Sequence, residues 1–176
     1  NIVDEGIPVY FFTGNHDMWM FDYFEKELGV KIFREPISID RQGKKIMVGH
    51  GDGLGPGDKG YKFIKKIFSN KFFQWCFARL HPNFGIGLAN YFSRSSRAKT
   101  GDDDKIFLGE DKEWLVQYCK DVLNNENFDY FIFGHRHLPL EIPIFDKALY
   151  INTGDWLSYN TYAELSDGYL CLKTYK

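Results

Sequence analysis

The chain has 176 residues, a formal net charge of −2 at pH 7 and a charged fraction of 26%, as expected of an ordinary soluble protein with one domain and a sizeable core. No stretch approaches the roughly 20 apolar residues of a membrane-spanning helix, and no signal peptide is visible. Three cysteines, Cys76, Cys119 and Cys171, form no C-x-x-C pair. This argues against a disulfide framework or a thiolate zinc site and predicts three buried thiols in a reducing compartment.

The first part of the chain predicts a strand, a short helix and a hairpin. Residues 1–8 include no initiator Met and resemble the end of a helix and a loop leading into a strand, so we expect the chain to begin partway through a fold. The β-branched and aromatic run Val9–Phe12 predicts a buried strand. Apolar side chains at helical spacing predict a helix over Phe21–Leu28 that ends at the following glycine. The runs Lys31–Ile39 and Lys45–Val48 flank a turn and predict a hairpin.

The last part of the chain mixes a helix with several strands. Apolar positions at helical spacing predict an amphipathic helix over Glu110–Leu123. Phe128–Phe133 predicts a second buried strand. Leu149–Asn152 and two runs around Ser166–Gly168 predict further strands, the last pair as a hairpin. The predicted fold class is therefore α/β or α+β with a sizeable sheet.

Residues 59–101, here called the cap segment, differ in composition from the rest of the chain. The segment contains no Asp or Glu, nine Lys or Arg and ten aromatic residues. Phe63, Ile64, Ile67 and Phe68 fall at helical spacing, with lysines on either side of them. We predict a basic, aromatic-rich helical cap inserted into a single domain that spans residues 1–176.

Three uses of the cap segment remain open. An apolar face flanked only by positive charge suits an anionic membrane surface or an acylated, phosphate-bearing ligand. A pair of helices that packs on the core with a solvated basic face is the structural alternative, although core-packed helices usually mix charge signs. Nucleic-acid binding fits less well, because the aromatic residues cluster with aliphatic ones instead of being spaced as stacking platforms.

Four of the five histidines lie in three short motifs: His16 in GNHD, His50 in GHGD, and His135 and His137 in GHRH. Each motif follows a short apolar run and opens with Gly, which allows a sharp turn. Because the carboxyl ends of parallel strands meet at one edge of a sheet, we expect the motifs to lie together. Each motif alone is explained by an ordinary polar turn, so their conjunction indicates the site. The remaining histidine, His81, belongs to no motif, and we expect it to be structural.

The side chains in these motifs are of the kind that binds divalent metal ions. Imidazole nitrogen combined with amide or carboxylate oxygen suits Mn, Fe, Zn or a similar ion. We expect an extended segment in which period-two alternation places His135 and His137 on the same side, so that each can serve one ion of a pair about 3.5–4 Å apart. Asp52, two residues after His50, is a candidate hydrogen-bond acceptor that orients this ligand.

In this order, GNHD, GHGD and GHRH resemble the last three signatures of the calcineurin-like metallophosphoesterase superfamily. The resemblance spans residues 15–137 and implies a two-metal phosphoesterase. Its fold would be a four-layer αββα sandwich, of which this chain would form the C-terminal part. Carried over to this sequence, the resemblance implies that Asn15, His50 and His135 bind one ion and that His137 binds the other.

The same resemblance implies roles for the residues beside the metal ligands, and it also shows a departure. His16 would contact the phosphate and assist the leaving oxygen, Asp17 would orient His16, and Arg136 would inherit no role. The superfamily's D-x-H and G-D-x-x-D motifs, which precede GNHD, do not occur in this chain. We therefore expect a C-terminal fragment, or a protein lacking its first strands, that binds metal weakly or not at all by itself.

A closer resemblance joins HGDGLGPGDKGYKF, the cap segment, FIFGHRHLP and INTGDW to the UDP-2,3-diacylglucosamine hydrolase family of lipid A synthesis. It implies cleavage of the substrate's pyrophosphate into UMP and 2,3-diacylglucosamine 1-phosphate, with the cap segment covering the acyl chains. Asp58 would contact the sugar end of the substrate. Arg94, Ser96 and Arg97 are candidates to bind a phosphate or the uridine. Some members of that family carry Arg at the position of His16, so the role of His16 follows the wider superfamily.

From these observations we expect two divalent ions, with Mn²⁺ favoured, and an acylated UDP-sugar as substrate. We expect a cytoplasmic bacterial protein that attaches peripherally to the inner membrane and does not bind nucleic acid. Two alternatives stay open: a metallophosphoesterase for other, soluble phosphodiesters, and a non-catalytic fragment that binds membrane surfaces.

Overall fold

The computed structural model describes residues 2–57, 59–100 and 106–176, with residues 93 and 95–100 described by their helical backbone only. This part of the chain contains nine strands and five α-helices. The predicted mixed α/β class is confirmed. The division into a domain over residues 1–176 with a cap segment over 59–101 stays a prediction.

The first strand belongs to a small parallel pair. β1 (Tyr10–Phe12) pairs with β2 (Lys31–Phe33), and the short helix α1 (Tyr23–Leu28) connects them. Gly29 ends α1 in the left-handed conformation, with a φ of 67° and its N–H bonded to the carbonyl of Phe24. The helix that the sequence predicts is therefore confirmed.

The predicted run over residues 31–39 is divided between two sheets. β2 ends at Phe33, and the antiparallel strand β3 (Ile37–Arg41) starts a separate sheet by pairing with β4 (Lys44–Gly49). Pro36 lies between the two strands. Proline has no N–H to donate to a neighbouring strand, so Pro36 interrupts the single run that the residue types predict and separates β2 from β3. The hairpin itself is confirmed.

The main sheet has five strands in the order β3-β4-β5-β7-β6. β5 (Tyr130–Phe133) lies between β4 and β7 (Ala148–Thr153) and is parallel to both, while β6 (Pro139–Ile144) is an antiparallel edge strand. Strand β6 was not predicted from the sequence. Its two prolines argue against a strand, but an edge strand accepts them because one side of its backbone needs no sheet partner.

Helix α5 (Trp114–Leu123) covers the main sheet and builds the core. Leu115, Val116 and Cys119 pack with buried side chains of β5 and β7, among them Phe131 and Tyr150. The prediction that this helix begins at Glu110 is wrong. Residues 110–112 form a 3-10 turn, and the extended backbone of Glu113 separates that turn from α5.

The last two strands form a hairpin over the sheet's edge. β8 (Thr161–Ser166) and β9 (Tyr169–Thr174) are antiparallel, as predicted. Asp167 and Gly168 both have positive φ values, of 52° and 79°, which is the conformation that a two-residue hairpin turn requires. Gly168 also accepts a hydrogen bond from the Tyr130 hydroxyl at 2.8 Å, which ties the turn to the main sheet.

The cap segment consists of three helices, α2 (Lys59–Phe68), α3 (Lys71–Phe77) and α4 (Pro82–Thr100). Asn70 begins α3 by accepting a hydrogen bond from the N–H of Phe72. No residue of α2 or α3 is buried, and large side chains such as Phe63, Phe72 and Trp75 are more than half exposed. The cap segment therefore presents an apolar surface instead of a closed core.

All three cysteines are free, but only Cys119 is buried. The expectation of three buried thiols is wrong for Cys76 and Cys171, since both are half-buried. Burial of Cys119 raises the pKa of its thiol well above the usual range, so this side chain acts as a small apolar core residue. Within the described ranges, no helix has both the length and the apolar content needed to cross a bilayer.

Candidate metal centre

Two of the histidine motifs lie side by side at one edge of the main sheet. GHGD follows β4 and GHRH follows β5, and these two strands are parallel neighbours. The N–H of Gly134 donates to the carbonyl oxygen of His50 at 3.0 Å, which extends the pairing one step beyond the strands. The expected meeting of motifs at the carboxyl ends of parallel strands is therefore found for this pair.

The third motif reaches the same place from the smaller sheet. GNHD follows β1, and its Gly14 lies so close to His50 that an added Cβ would be 2.5 Å from the imidazole Nε2. Only a residue without a side chain allows this approach, which explains the glycine at the head of the motif. GNHD and GHGD thus converge although their strands belong to different sheets.

A carboxylate fixes the orientation of the His50 ring. The Nδ1 atom of His50 lies 2.8 Å from Oδ1 of Asp52, a residue that is 5% exposed. Because a carboxylate only accepts, this hydrogen bond places a proton on Nδ1, while Nε2 faces the GNHD turn. The predicted role of Asp52 as the acceptor that orients His50 agrees with this geometry.

Asp52 stays charged in its buried position because it has several donors. Burial alone would raise the pKa of its carboxyl group. Hydrogen bonds from His50, Tyr61 and Lys65, together with the charge of Lys65, outweigh burial and hold this pKa well below its usual range. The group facing His50 is therefore a carboxylate. It accepts a hydrogen bond from the N–H of the imidazole and carries no proton of its own.

His135 lies against His50 and is uncharged at neutral pH. The two ring centroids are 5.2 Å apart in an edge-to-face arrangement. Burial lowers the pKa of His135 to about 4, with a further lowering from the nearby His50, His137 and Arg136 and an opposing effect of Asp52. A neutral imidazole is the form that binds a metal ion.

The GHRH segment is not extended, so the geometric argument for its two histidines is wrong. His135 and His137 have φ values of 66° and 52°, in the left-handed region that non-glycine residues rarely adopt. Strand β5 ends at Phe133, and the chain turns before the histidines. Such strained residues persist only where the surrounding structure holds them in place, and they are concentrated at functional sites.

Asn152 supports this turn from the neighbouring strand. Its side chain is fully buried and donates to the carbonyl of Gly134, while its Oδ1 accepts the N–H of Gly154 at 3.2 Å. One amide group therefore joins the GHRH turn to the INTGDW loop. Asn152 was not among the predicted site residues, although its place in the INTGDW motif was the available signal.

His137 lies at the open side of the site. Its side chain is 59% exposed, and its Nδ1 is 4.0 Å from Oδ2 of Asp155 in the INTGDW loop. The N–H of Ser158 bonds to Asp155 and lowers the pKa of that carboxyl group, which keeps a negative charge beside His137. His137 is therefore accessible to a ligand from solvent, unlike His135.

The GNHD turn presents its middle residues at the surface of the site. The carboxylate of Asp17 accepts a hydrogen bond from the N–H of Gly14 and so closes the turn. Asn15 is half-buried and His16 is exposed. The predicted roles of Asn15 as a ligand and of His16 as a phosphate contact stay predictions, as does the orientation of His16 by Asp17.

The predicted substrate contacts are only partly covered by the structure. Arg94 is an exposed residue of α4. Asp58 and the side chains of Ser96 and Arg97 lie outside the described residues. The remaining histidine, His81, lies near the start of α4. Its Nδ1 accepts a hydrogen bond from the N–H of Asn83 at 3.4 Å, in agreement with a structural role.

The donor set of this site fits divalent metal ions. His50 presents Nε2 and His135 is neutral, and Asn15 and His137 would complete the set of nitrogen and oxygen donors. Within residues 2–57, 59–100 and 106–176, no three His, Cys, Asp or Glu side chains converge into a preformed cluster. A bound ion here would supply positive charge that polarises a phosphoryl oxygen.

Fold and site together define a metallophosphoesterase. A sequence model of the calcineurin-like phosphoesterase family matches residues 1–139, a range that includes all three histidine motifs. The chain belongs to the calcineurin-like phosphoesterase family. Membership implies divalent metal ions and hydrolysis of phosphoric esters or anhydrides.

Several similar curated proteins are named UDP-2,3-diacylglucosamine hydrolase. The one from Porphyromonas gingivalis is 33% identical over 173 residues, covering 91% of this chain and 66% of the relative. Those from Photorhabdus laumondii and Vibrio parahaemolyticus are 24% and 27% identical to this chain. Their alignments include 94% and 96% of this chain, respectively, and 69% of each relative. The chain thus spans about two thirds of the length of these relatives. The predicted resemblance is confirmed.

Proposed function

We propose that this chain is the greater part of a metal-dependent pyrophosphate hydrolase. Its reaction would convert UDP-2,3-diacylglucosamine to UMP and 2,3-diacylglucosamine 1-phosphate. The observation that carries the proposal is the convergence of GNHD, GHGD and GHRH on the His50 imidazole. The names of the similar proteins support the choice of substrate.

In this proposal the four metal-ligand residues keep the roles that the family resemblance implies. Asn15, His50 and His135 hold one ion, and the more exposed His137 holds the second. We favour Mn²⁺, because imidazole combined with carboxylate and amide oxygens suits an ion of that type. We expect the exposed His16 to contact the phosphate, and its imidazole would donate a proton to the leaving oxygen.

The cap segment supplies the binding surface for the acylated part of the substrate. Exposed aromatic and aliphatic side chains lie on all three helices, and the segment carries nine Lys or Arg and no Asp or Glu. We infer that these side chains form an apolar face with basic residues around it. Acyl chains would bind the apolar face, and the pyrophosphate would be attracted by the basic residues. Arg94, Ser96 and Arg97 on α4 are proposed to bind phosphate or uridine, and Asp58 to bind the sugar end.

The same surface supports peripheral attachment to the cytoplasmic face of the inner membrane. Each Lys or Arg close to an anionic bilayer contributes on the order of 1 kcal/mol to binding. Cosedimentation of the complete gene product with phosphatidylglycerol vesicles tests this attachment. Binding that falls with added salt supports the proposal, and equal binding to neutral vesicles contradicts it.

The substrate proposal is tested with the complete gene product and Mn²⁺. UDP-2,3-diacylglucosamine and bis-p-nitrophenyl phosphate are offered separately, and UMP and p-nitrophenol are quantified. We expect release of UMP from the lipid nucleotide, and its loss in the variant His135→Ala. Turnover of the soluble diester alone would favour a phosphodiesterase for soluble substrates. Full activity of His135→Ala would exclude the metal site proposed for GHRH.

A further inference from the structure

The first helix of the cap segment is bonded to the residue that orients His50. The hydroxyl of Tyr61 donates to Oδ2 of Asp52 at 2.7 Å, and the ammonium group of Lys65 lies 3.0 Å from the same oxygen. Lys65 also donates to the backbone carbonyl of Asp52 at 3.2 Å. Since Oδ1 of Asp52 faces His50, one buried carboxylate joins α2 to the imidazole.

The contacts come from one face of α2 and reach along the adjoining loop. Tyr61 and Lys65 are four residues apart and so are neighbours on the helix surface. Lys62, next to Tyr61, donates to the carbonyl of Gly55. No residue of α2 is buried, and these polar contacts join the helix to residues 52–55.

We propose that Lys65 and Tyr61 are positioning residues that act through Asp52, so that metal binding at His50 and the order of helix α2 are coupled. The inference rests on the metal site proposed at His50. Loss of either donor leaves the buried carboxylate with fewer partners and frees the His50 ring to rotate. Because coupling between two sites is reciprocal, an ion that fixes His50 also stabilises α2.

The coupling gives the cap segment a function beyond contact with the substrate. The helix that carries the apolar face is held in place by the same hydrogen bonds that prepare a metal ligand. A protein without its ion would therefore have a less ordered α2, and a protein without the α2 contacts would bind its ion less tightly. Neither effect requires a change in the metal ligands themselves.

The experiment compares the complete gene product with the variants Lys65→Met, Tyr61→Phe and Lys66→Met. Lys66 is a matched control, because it lies on the same helix, carries the same charge and is exposed. Mn²⁺ affinity is measured by titration calorimetry, and hydrogen exchange of residues 59–68 is measured by mass spectrometry with and without Mn²⁺. Circular dichroism establishes that each variant is folded.

We expect Mn²⁺ to protect α2 from exchange in the wild type and in Lys66→Met. In Lys65→Met the protection should be lost and the affinity lowered by roughly 3- to 10-fold, less than the 10- to 100-fold typical of a residue bonded directly to a ligand. Tyr61→Phe, which removes a single hydroxyl, should show a smaller change in the same direction. This variant keeps the test decisive if Lys65→Met does not fold.

The outcomes separate the inference from the proposed function. If the wild type binds no Mn²⁺, the metal site is wrong. If the wild type binds Mn²⁺ but neither Lys65→Met nor Tyr61→Phe differs from Lys66→Met in affinity or exchange, the metal site stands and the coupling is wrong.

Discussion

The half-buried Arg136 forms an ion pair with the buried Glu113, with Nε of the arginine 3.0 Å from Oε2 of the glutamate. Glu113 is 3% exposed and lies directly before α5, whereas Arg136 stands between the two histidines of GHRH. A second hydrogen bond joins Nη2 of Arg136 to the carbonyl of Ile106. The variable residue of the motif, to which the family resemblance gives no role, therefore anchors the strained turn to the helix.

Breaking this pair should destabilise the protein. Removal of Glu113 leaves Arg136 without its carboxylate, but the arginine is 18% exposed and keeps its hydrogen bond to Ile106, so the cost is about 1–3 kcal/mol. We expect Glu113→Ala to lower the free energy of unfolding by that amount in urea denaturation without metal. Glu126→Ala is the control, since it breaks the more exposed pair with Lys45, and should cost less than about 1 kcal/mol. Equal losses in the two variants would mean that Arg136 and Glu113 are not a special anchor.

Neutralising the carboxylate beside His50 should weaken metal binding. In Asp52→Asn the side chain keeps its size but loses the charge that fixes the imidazole proton on Nδ1. Replacing such a partner typically lowers metal affinity by roughly 10- to 100-fold. Titration calorimetry with Mn²⁺ measures this, and Asp40→Asn controls for loss of an acidic charge at an exposed position. Unchanged affinity in Asp52→Asn would show that His50 does not need this partner.

A methyl group at Gly14 should disturb the site without removing any ligand. In Gly14→Ala the new Cβ would lie 2.5 Å from Nε2 of His50, so the imidazole has to move. Forcing a carbon into such a space typically costs about 1–3 kcal/mol, and Mn²⁺ affinity should fall together with stability.

The control for Gly14→Ala is Gly87→Ala in helix α4, where an added Cβ meets nothing within 4 Å. That variant should keep the wild-type metal affinity and gain up to about 1 kcal/mol of stability, because alanine favours a helix over glycine. If Gly14→Ala binds Mn²⁺ as the wild type does, the close packing on His50 does not matter for the site.

Asp129 should make a pH-dependent contribution to stability. A hydrogen bond from the N–H of Lys45 lowers the pKa of Asp129; burial opposes this, and Lys44 adds a further lowering. The folded pKa thus lies below the unfolded value of about 3.9. The stabilisation is therefore fully present above that value and is lost as the pH falls through the folded pKa.

We expect Asp129→Asn to be less stable than the wild type by about 1 kcal/mol or less at neutral pH, since the group is partly exposed to solvent. Urea denaturation between about pH 6 and about pH 3 should show this difference narrowing in acid. Asp121→Asn is the matched control for loss of an exposed acidic charge. A difference that grows toward low pH would contradict the assigned direction of the pKa shift.

Much of the fold was predictable where local chemistry and tertiary packing agree. Apolar runs became strands β1, β4, β5 and β7, and the run before Gly29 became a helix. The prediction that β1 is buried is wrong, since all three of its residues are half-buried. The predictions failed where tertiary position overrode residue type. β6 contains two prolines and is a strand only because it lies at an edge, and α5 starts late because Glu113 turns away to pair with Arg136.

The sequence by itself determined the composition of the site: three glycine-led motifs, four histidines and the resemblance to a phosphoesterase family. It could do so because metal chemistry restricts which residue types can serve, and these stand in short contiguous motifs. Only the tertiary structure decided how those residues are held. Asp52 between His50 and helix α2, Asn152 beneath the GHRH turn and Glu113 beside Arg136 all join segments distant in sequence. Such contacts depend on which strands and helices become neighbours, and no local pattern of residues specifies that.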